Sequence, residues 1–495
     1  MGFRAFLKRL LPVQRKQGEP PDSPNHEASP STQATPLLIP TSRDAEAIQQ
    51  TTLNKLDRRV LPYCLLISVI SYIDRGNLGF VAADVCAELN MNHARYGIGV
   101  GCFGVGYALS QVPSNYFLRY WGARIWFALL LLSWGLVAGS FSLVQNRYEF
   151  YVLRLLLGVV EGGTYPGSWY YLSNFYPEQH LMFPFSAIES SVAVSGPLAA
   201  PLAAGLVSLD GLFGIDGWRL LFFVEGIIPI IYALVIYWTL PSTPEEASFL
   251  KQDERDWIAS QERQGTEERH LLRELKTVLR SVDLWGGILS GMLRGVLYIA
   301  AFYWTTLIID DMLNGDDDDD DDDSCAASNS TDVAAVVLSA VPLGLSAILT
   351  LVFGRVASRI GDRSKACIWF TLSSAVFLAG WVIFRNVSFV VALLCIGLAI
   401  AGFIISDGLC IAVLSTCFDQ ETRATGVAAY NAISAVGMAF GPIVLGIVVD
   451  NHGYVAGVGL LTGVAVMSAA FMIVVKDPLL KTKRPQTTEQ TETFI

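Results

Sequence analysis

The sequence predicts an all-α, multi-pass membrane protein of twelve transmembrane helices, arranged as two pseudo-symmetric six-helix halves. Three observations carry that reading. Of 495 residues, 52% are hydrophobic and only 16% charged, where soluble chains carry about a quarter charged residues. Apolar runs near the 20 residues needed to cross a bilayer recur along the chain. Loops on alternate sides differ in Lys and Arg, as the positive-inside rule requires.

The runs fall at 60–82, 96–118, 124–144, 148–175, 182–208, 219–240, 284–309, 333–353, 366–384, 388–415, 424–448 and 454–475. Between them, Lys55, Arg58 and Arg59, then Arg119 and Arg124, the basic segment 241–283, Arg355–Lys365 and the tail lie on one side. The other loops are acidic or nearly neutral, so both termini are expected in the cytoplasm. Residues 1–59 read as a disordered arm, with an amphipathic stretch in the first eighteen that is either a lipid-touching surface helix or a transit peptide. The halves run 60–240 and 284–476, joined by a cytoplasmic linker, 241–283, and followed by a tail, 477–495.

Most of the net charge of −11 comes from eight aspartates, Asp316–Asp323, in an outer loop at 310–332. A solvated loop explains them. The eight cysteines show no metal-ligand spacing; Cys86 and Cys325 both fall outside, where a disulfide between them is open. No nucleophile–base pair, phosphate loop, metal cluster or cofactor motif is present, so an enzyme is not expected. Nothing points to nucleic acid. The expected partners are the bilayer, a small solute and a proton, and the carrier is expected to be a monomer.

The chain repeats internally. Gly122 and Gly361, Gly158 and Gly397, and Gly163 and Gly402 share one offset, and "SGPLAAPLAAG" is echoed by "FGPIVLG". The segment "GRVASRIGDR", with Gly354, Arg359, Asp362 and Arg363, resembles the loop motif of the major facilitator superfamily. Over 58–250, "YIDRGNLGF", "GYALSQVPSN", "RLLLGVVEGGTYPGSWYYLSNFYP" and "LPSTPEEASFL" resemble its anion–cation symporter family. The resemblance implies a twelve-helix carrier that moves a small organic anion, a mono- or dicarboxylate, together with a proton. It is looser in the second half, and "YPEQHLMF" has His180 where such carriers usually have an arginine.

Asp74, Arg75, Arg154, Glu161, Glu189, Glu225, Arg294 and Asp407 lie within or at the ends of spans. Ionisable groups there must face protein or a wet cavity, and mark functional sites by default. Arg154 and Glu161 lie two turns apart on one helix face, with Gly158 opening space between. Arginine forks suit carboxylates, and a buried carboxyl can carry a proton. The resemblance places the family's helix-one acid and base on Asp74 and Arg75 and its helix-four pair on Arg154 and Glu161. Arg75, Arg154, Asn77, Tyr298 and Asn431 are expected to bind substrate; Asp74, Glu161 and Asp407 are expected to carry protons. Arg154 is expected to alternate as a partner of Asp74. Asp407 is either a second proton site or the partner of Arg294, and Glu225 reads as structural. A non-transporting nutrient receptor on the same fold, or a sodium-coupled or uncoupled carrier of phosphate or a neutral nutrient, remains the alternative. The membrane is either the plasma membrane or an organelle's.

Overall fold

Capping asparagines and glycines at positive φ set several helix ends of this chain, while prolines lie inside its long helices. The computed structural model describes residues 42–177, 180–260, 282–314, 333–357, 362–417 and 423–475. The chain divides into units 1–46 and 47–495; of the first, only the start of α1 is described. The helices are α1 (Ser42–Arg59), α2 (Leu61–Phe80), α3 (Ala82–Glu88), α4 (His93–Trp121), α5 (Ala123–Ser140), α6 (Arg147–Glu161), α7 (Thr164–Phe175) and α8 (Met182–Val207). They continue with α9 (Gly217–Thr239), α10 (Gln252–Ser260), α11 (Val282–Tyr303), α12 (Thr305–Asn314), α13 (Val333–Ala357), α14 (Arg363–Phe384), α15 (Phe389–Cys417) and α16 (Arg423–Met472). No strand occurs among the described residues.

Among the described residues, eight helices are singly long and apolar enough to cross a membrane, and α2 with α3, bent by 55°, makes a ninth. The remaining crossings are hidden by breaks. The apolar part of α16 is 43 residues long, about 65 Å at 1.5 Å per residue, twice a bilayer core. Gly453, at φ 74°, divides it into two spans. α6 and α7 are two half-spans meeting at Gly162 and Gly163. α4, at 29 residues, is long enough alone. The result is twelve crossings, as the sequence predicts.

Local chemistry fixes several ends. Asn92 caps α4 by accepting from Arg95 N at 3.0 Å, and Asn146 caps α6 by accepting from Tyr148 N and Glu149 N at 3.1 Å. Gly122, at φ 80°, turns α4 into α5. Within the first six spans α5 packs on α9, α4 on α6 and α2 on α8; within the last six α11 packs on α16, α13 and α14 on α15. The two sets meet along α4–α16 and α8–α13, with α2 touching α11.

In its middle the α4–α16 seam brings helix backbones close together. Gly97 lies against Pro442, and Gly101 and Gly104 against Ala439; a Cβ at position 104 would stand 2.7 Å from Ala439 N. At the end of the bundle away from α1, Asp450 accepts from the amides of His93 and Ala94 at 2.8 Å. The His93 ring lies 2.8 Å from Asp450 Oδ1 and 2.9 Å from the Tyr454 hydroxyl, and stacks on Trp304 at 5.9 Å. That end is closed.

At the α1 end the structure departs from the expected disordered arm. α1 is helical because Leu56 and Val60 are fully buried beneath it. It is strapped to the linker helix α10, for Lys55 Nζ donates to Glu254 Oε2 at 2.7 Å and to Phe249 O at 3.2 Å. Tyr176 adds a bond to Asp57 at 2.9 Å. Burial alone would raise the Glu254 carboxyl, but the bonds from Lys55 and the Lys251 amide outweigh it and hold the group below its ordinary range.

Two outcomes follow. Gly104→Val forces the seam apart and should cost about 1–3 kcal/mol, read as a fall in thermal midpoint of the purified protein. Because the folded Glu254 carboxyl is depressed, its contribution is complete above its ordinary value near 4.5 and is lost as pH falls through the lower folded value. Hydrogen exchange, corrected for intrinsic rate, should find α10 protected at neutral pH and released in acid.

Candidate functional site

Helix α2 turns two different faces to its neighbours. Ser71 and Arg75, one turn apart, point to α6; Asp74 and Asn77 point to α5 and α9. On the first face Arg75 Nε donates to Glu161 Oε1 at 2.7 Å, with side chains 4% and 0% exposed. The Ser71 hydroxyl donates to the same oxygen. The Arg75 guanidinium lies over Tyr107 at 4.7 Å and over Tyr72 and Phe103 at 5.3 Å. From α11, Tyr298 and Phe302 stand against Tyr72, with centroids at 6.2 and 6.0 Å. Arg75 Nη2 and Glu161 Oε2 are buried without a hydrogen bond. The ion pair therefore uses one nitrogen and one oxygen and leaves a donor and an acceptor over.

The backbone around Glu161 is built to hold it there. Gly158 and Gly162 admit α4; a Cβ at position 158 would stand 2.8 Å from Tyr107 N. α6 ends at Glu161, and the Thr164 hydroxyl takes up the Glu161 carbonyl at 2.7 Å. Two turns earlier, Arg154 is 1% exposed and donates to the Tyr303 hydroxyl at 3.1 Å. This differs from the expected partnership with Asp74: the guanidinium reaches across to α11, over the rings of Phe103 and Tyr303 at 4.9 and 5.2 Å.

On the second face Asp74 accepts from Trp134 Nε1 at 3.2 Å. Asn77, expected beside the substrate, instead gives its amide to Glu225 of α9, because it lies on the side of α2 that faces α9. Both are buried, at 0% and 3% exposure.

A further cluster joins α11, α15 and α16. Arg294 Nε donates to Asp407 Oδ1 at 3.1 Å, Nη1 to Ser290 at 2.9 Å and Nη2 to the Tyr430 hydroxyl at 3.3 Å. Arg294 is buried, but the Asp407 side chain is 45% exposed. Asn431, next to Tyr430, is half-buried with its amide nitrogen unbonded. In the loop motif, Asp362 caps α14 by accepting from Lys365 N at 3.0 Å, and Arg363 Nη1 donates to Ala412 O at 3.3 Å. Gly354 falls within α13, but its surroundings, and Arg359 altogether, lie outside the described residues, as do the Glu189 side chain and the aspartate run. Cys86 is disulfide-bonded, six other cysteines are free, and Cys325 is outside the described residues.

Sequence reasoning did not single out Ser71, Trp134, Tyr72, Phe103 or Tyr107. Ser71 had a signal, its place one turn before Arg75; the aromatic groups looked like any other packing residues.

Twelve spans around buried, mutually bonded charges define a membrane carrier. The family description of the Major Facilitator Superfamily matches residues 64–317 and 324–494, and the chain belongs to that family. A protein named putative tartrate transporter from Agrobacterium vitis is 28% identical over 454 residues, 90% of this chain and 95% of its own. A quinolone resistance transporter of Acinetobacter baumannii is 26% identical over 80% of this chain and 88% of its own. Among solved structures, the Escherichia coli xylose transporter XylE in its inward-open conformation aligns with a TM-score of 0.61 at 17% identity, over 86% of this chain and 95% of that one. A bacterial homologue of the human lysosomal transporter Spinster aligns at 0.61 and 16%, over 84% and 94%. These two likenesses are of fold. The chain is thus a multi-pass transporter of a small molecule, and its family is one of carriers, not enzymes.

The Arg75–Glu161 pair makes a stability prediction. Arg75→Ala leaves a buried carboxylate alone and should cost about 3–5 kcal/mol. Arg75→Ala with Glu161→Ala should cost less than the two single changes together, a coupling that thermal unfolding of all four proteins measures.

Proposed function

We propose that this transporter is a symporter that moves a small organic carboxylate together with a proton, by alternating exposure of one site between two six-helix halves. The halves are taken as 60–240 and 284–476, and the Lys and Arg bias of the loops supports a cytoplasmic position for both termini. The observation that carries the reading is the half-used Arg75–Glu161 pair, enclosed by aromatic rings.

The chemistry follows from competition for one guanidinium. With Glu161 ionised, Arg75 is occupied by it. A proton on Glu161 removes the charge that holds Arg75, and the fork is then free for a substrate carboxylate, which it can grip through two parallel bonds. Proton and anion thus favour each other's binding, and the empty site is neutral again once both have left. That reciprocity is what coupling requires. Arg154, swung to Tyr303 in this conformation, adds a second cation near the site. Asp74, beneath Trp134, is a second proton-carrying group. Tyr298 forms the opposing wall, and Asp407, Arg294 and Asn431 form a second polar station. The loop residues Gly354, Arg359, Asp362 and Arg363 hold the cytoplasmic edge.

The name of the Agrobacterium relative favours a hydroxylated dicarboxylate such as tartrate as the first substrate to try. Reconstituted into vesicles, the carrier should accumulate labelled mono- or dicarboxylate when the source side is acid. Glu161→Gln should exchange substrate across the membrane but no longer accumulate it. Accumulation by Glu161→Gln equal to that of the parent, or driven by sodium alone, would overturn the proposal.

A further inference from the structure

The side of α2 away from the substrate holds an acid that the symport cycle just described does not use. Glu225 lies 3% exposed where α2, α5 and α9 meet. Among the described ion pairs, neither Glu225 nor Asp74 takes part in any. The nearby cations are committed: Arg75 to Glu161, Arg154 to Tyr303. The ionisable neighbour of Glu225 is Asp74, itself an acid. An isolated carboxylate in such a place is costly, several kcal/mol even after relaxation.

The bonding pattern says how the cost is avoided. Asn77 Nδ2 donates to Glu225 Oε1. The other two polar atoms of the pair, Asn77 Oδ1 and Glu225 Oε2, are both buried and both lack a partner. One proton placed on Oε2 serves both: the acid O–H donates to the amide oxygen, closing a two-bond ring between a carboxylic acid and a carboxamide. That one placement satisfies both atoms at once, and buried polar atoms are rarely left unsatisfied.

The site is built into the backbone. Gly226 packs on Gly135 and Gly139 of α5, which fixes Glu225 in the same layer as Trp134. Pro229 lacks the N–H that would bond the Glu225 carbonyl in a regular helix, which loosens α9 at this turn. Asp74 lies one turn from Asn77 on the same face of α2.

We propose that Asn77 and Glu225 form a proton-binding site behind α2, and that Glu225 exchanges its proton with Asp74 during transport. The transfer is balanced: the O–H bond at Glu225 breaks, one forms at Asp74, and the negative charge moves the other way. The coupling proton thereby crosses this half without passing through the substrate's place. The role rests on the symport reading given above; the acid–amide ring does not.

Two measurements separate them. Infrared spectroscopy of the purified protein at neutral pH should show the carbonyl stretch of a protonated carboxyl, lost in Glu225→Gln. In vesicles, Glu225→Gln should lose acid-driven accumulation of tartrate. The swapped pair, Asn77→Asp with Glu225→Gln, rebuilds the ring in the opposite sense and should regain the band and part of the accumulation. It also decides the question if the single variant is not monodisperse after purification. A band of undiminished intensity in Glu225→Gln overturns the site, since Asp74 and Glu161 can account for a residual band but not for an unchanged one. A band that disappears while accumulation stays at the parent level overturns the role in transport and leaves a structural acid. A parent protein that accumulates nothing under an acid gradient takes the symport reading and the transport role down together, while the band still decides the ring.

Discussion

The fold is arranged around one electrostatic problem, a guanidinium and a carboxylate that meet where no water reaches them. An unpaired charge at the centre of a membrane span costs about 2.5–3.5 kcal/mol on insertion scales. Arg75 and Glu161 offset that cost with each other, with the Ser71 hydroxyl and with three aromatic faces. Such a pair adds little net stability, because desolvation consumes most of the attraction. What it provides is a strict geometry: α2, α4 and α6 cannot shift independently without stranding a charge. The glycines at 158 and 162 exist in this setting, since only a bare backbone lets α4 close over Glu161.

The other ionisable groups fall into place as solutions to the same problem. Arg154 finds Tyr303 across the interface, and Arg294 finds Asp407, Ser290 and Tyr430. Arg154 is held by a hydroxyl and two rings alone, whereas Arg294 adds hydroxyls to a carboxylate. Among the described ion pairs the acids at 74 and 225 take no part; Asp74 accepts from the Trp134 indole and Glu225 from the Asn77 amide. Two kinds of buried carboxyl thus coexist within one six-helix set, one held by a charge and one held by an amide or an indole.

Much of this was legible in the sequence. Span number, the two-fold repeat and the charged positions all rest on composition, spacing and periodicity, which need no coordinates. Half-spans were not legible, because "LGVVEGGTYPG" is apolar enough to read through the break after Glu161. Partner choice was not legible either. Asn77 sits one turn from Asp74 and looks like a neighbour of the substrate, but the rotation of α2 aims it at α9. Glu225 looked structural because it precedes "GIIP" near a helix end, while the amide it meets lies 148 residues away. α1 was missed because apolar residues such as the buried Leu56 are few among polar ones in a helix with a negative mean hydropathy.

The seam between α4 and α16 has a mechanical meaning of its own. Side chains can swing aside one by one, so a gate made of them opens by degrees. Gly97, Gly101 and Gly104 against Ala439 and Pro442 offer nothing to swing. Contact between two bare backbones is lost over a fraction of an ångström, along its whole length at once. Such a joint depends on the fit of two backbones rather than on the rotamers of many side chains. A carrier closed by it is sealed along this line mainly by close-fitting main chain, with the Ile443 side chain against Gly101 as its flexible element.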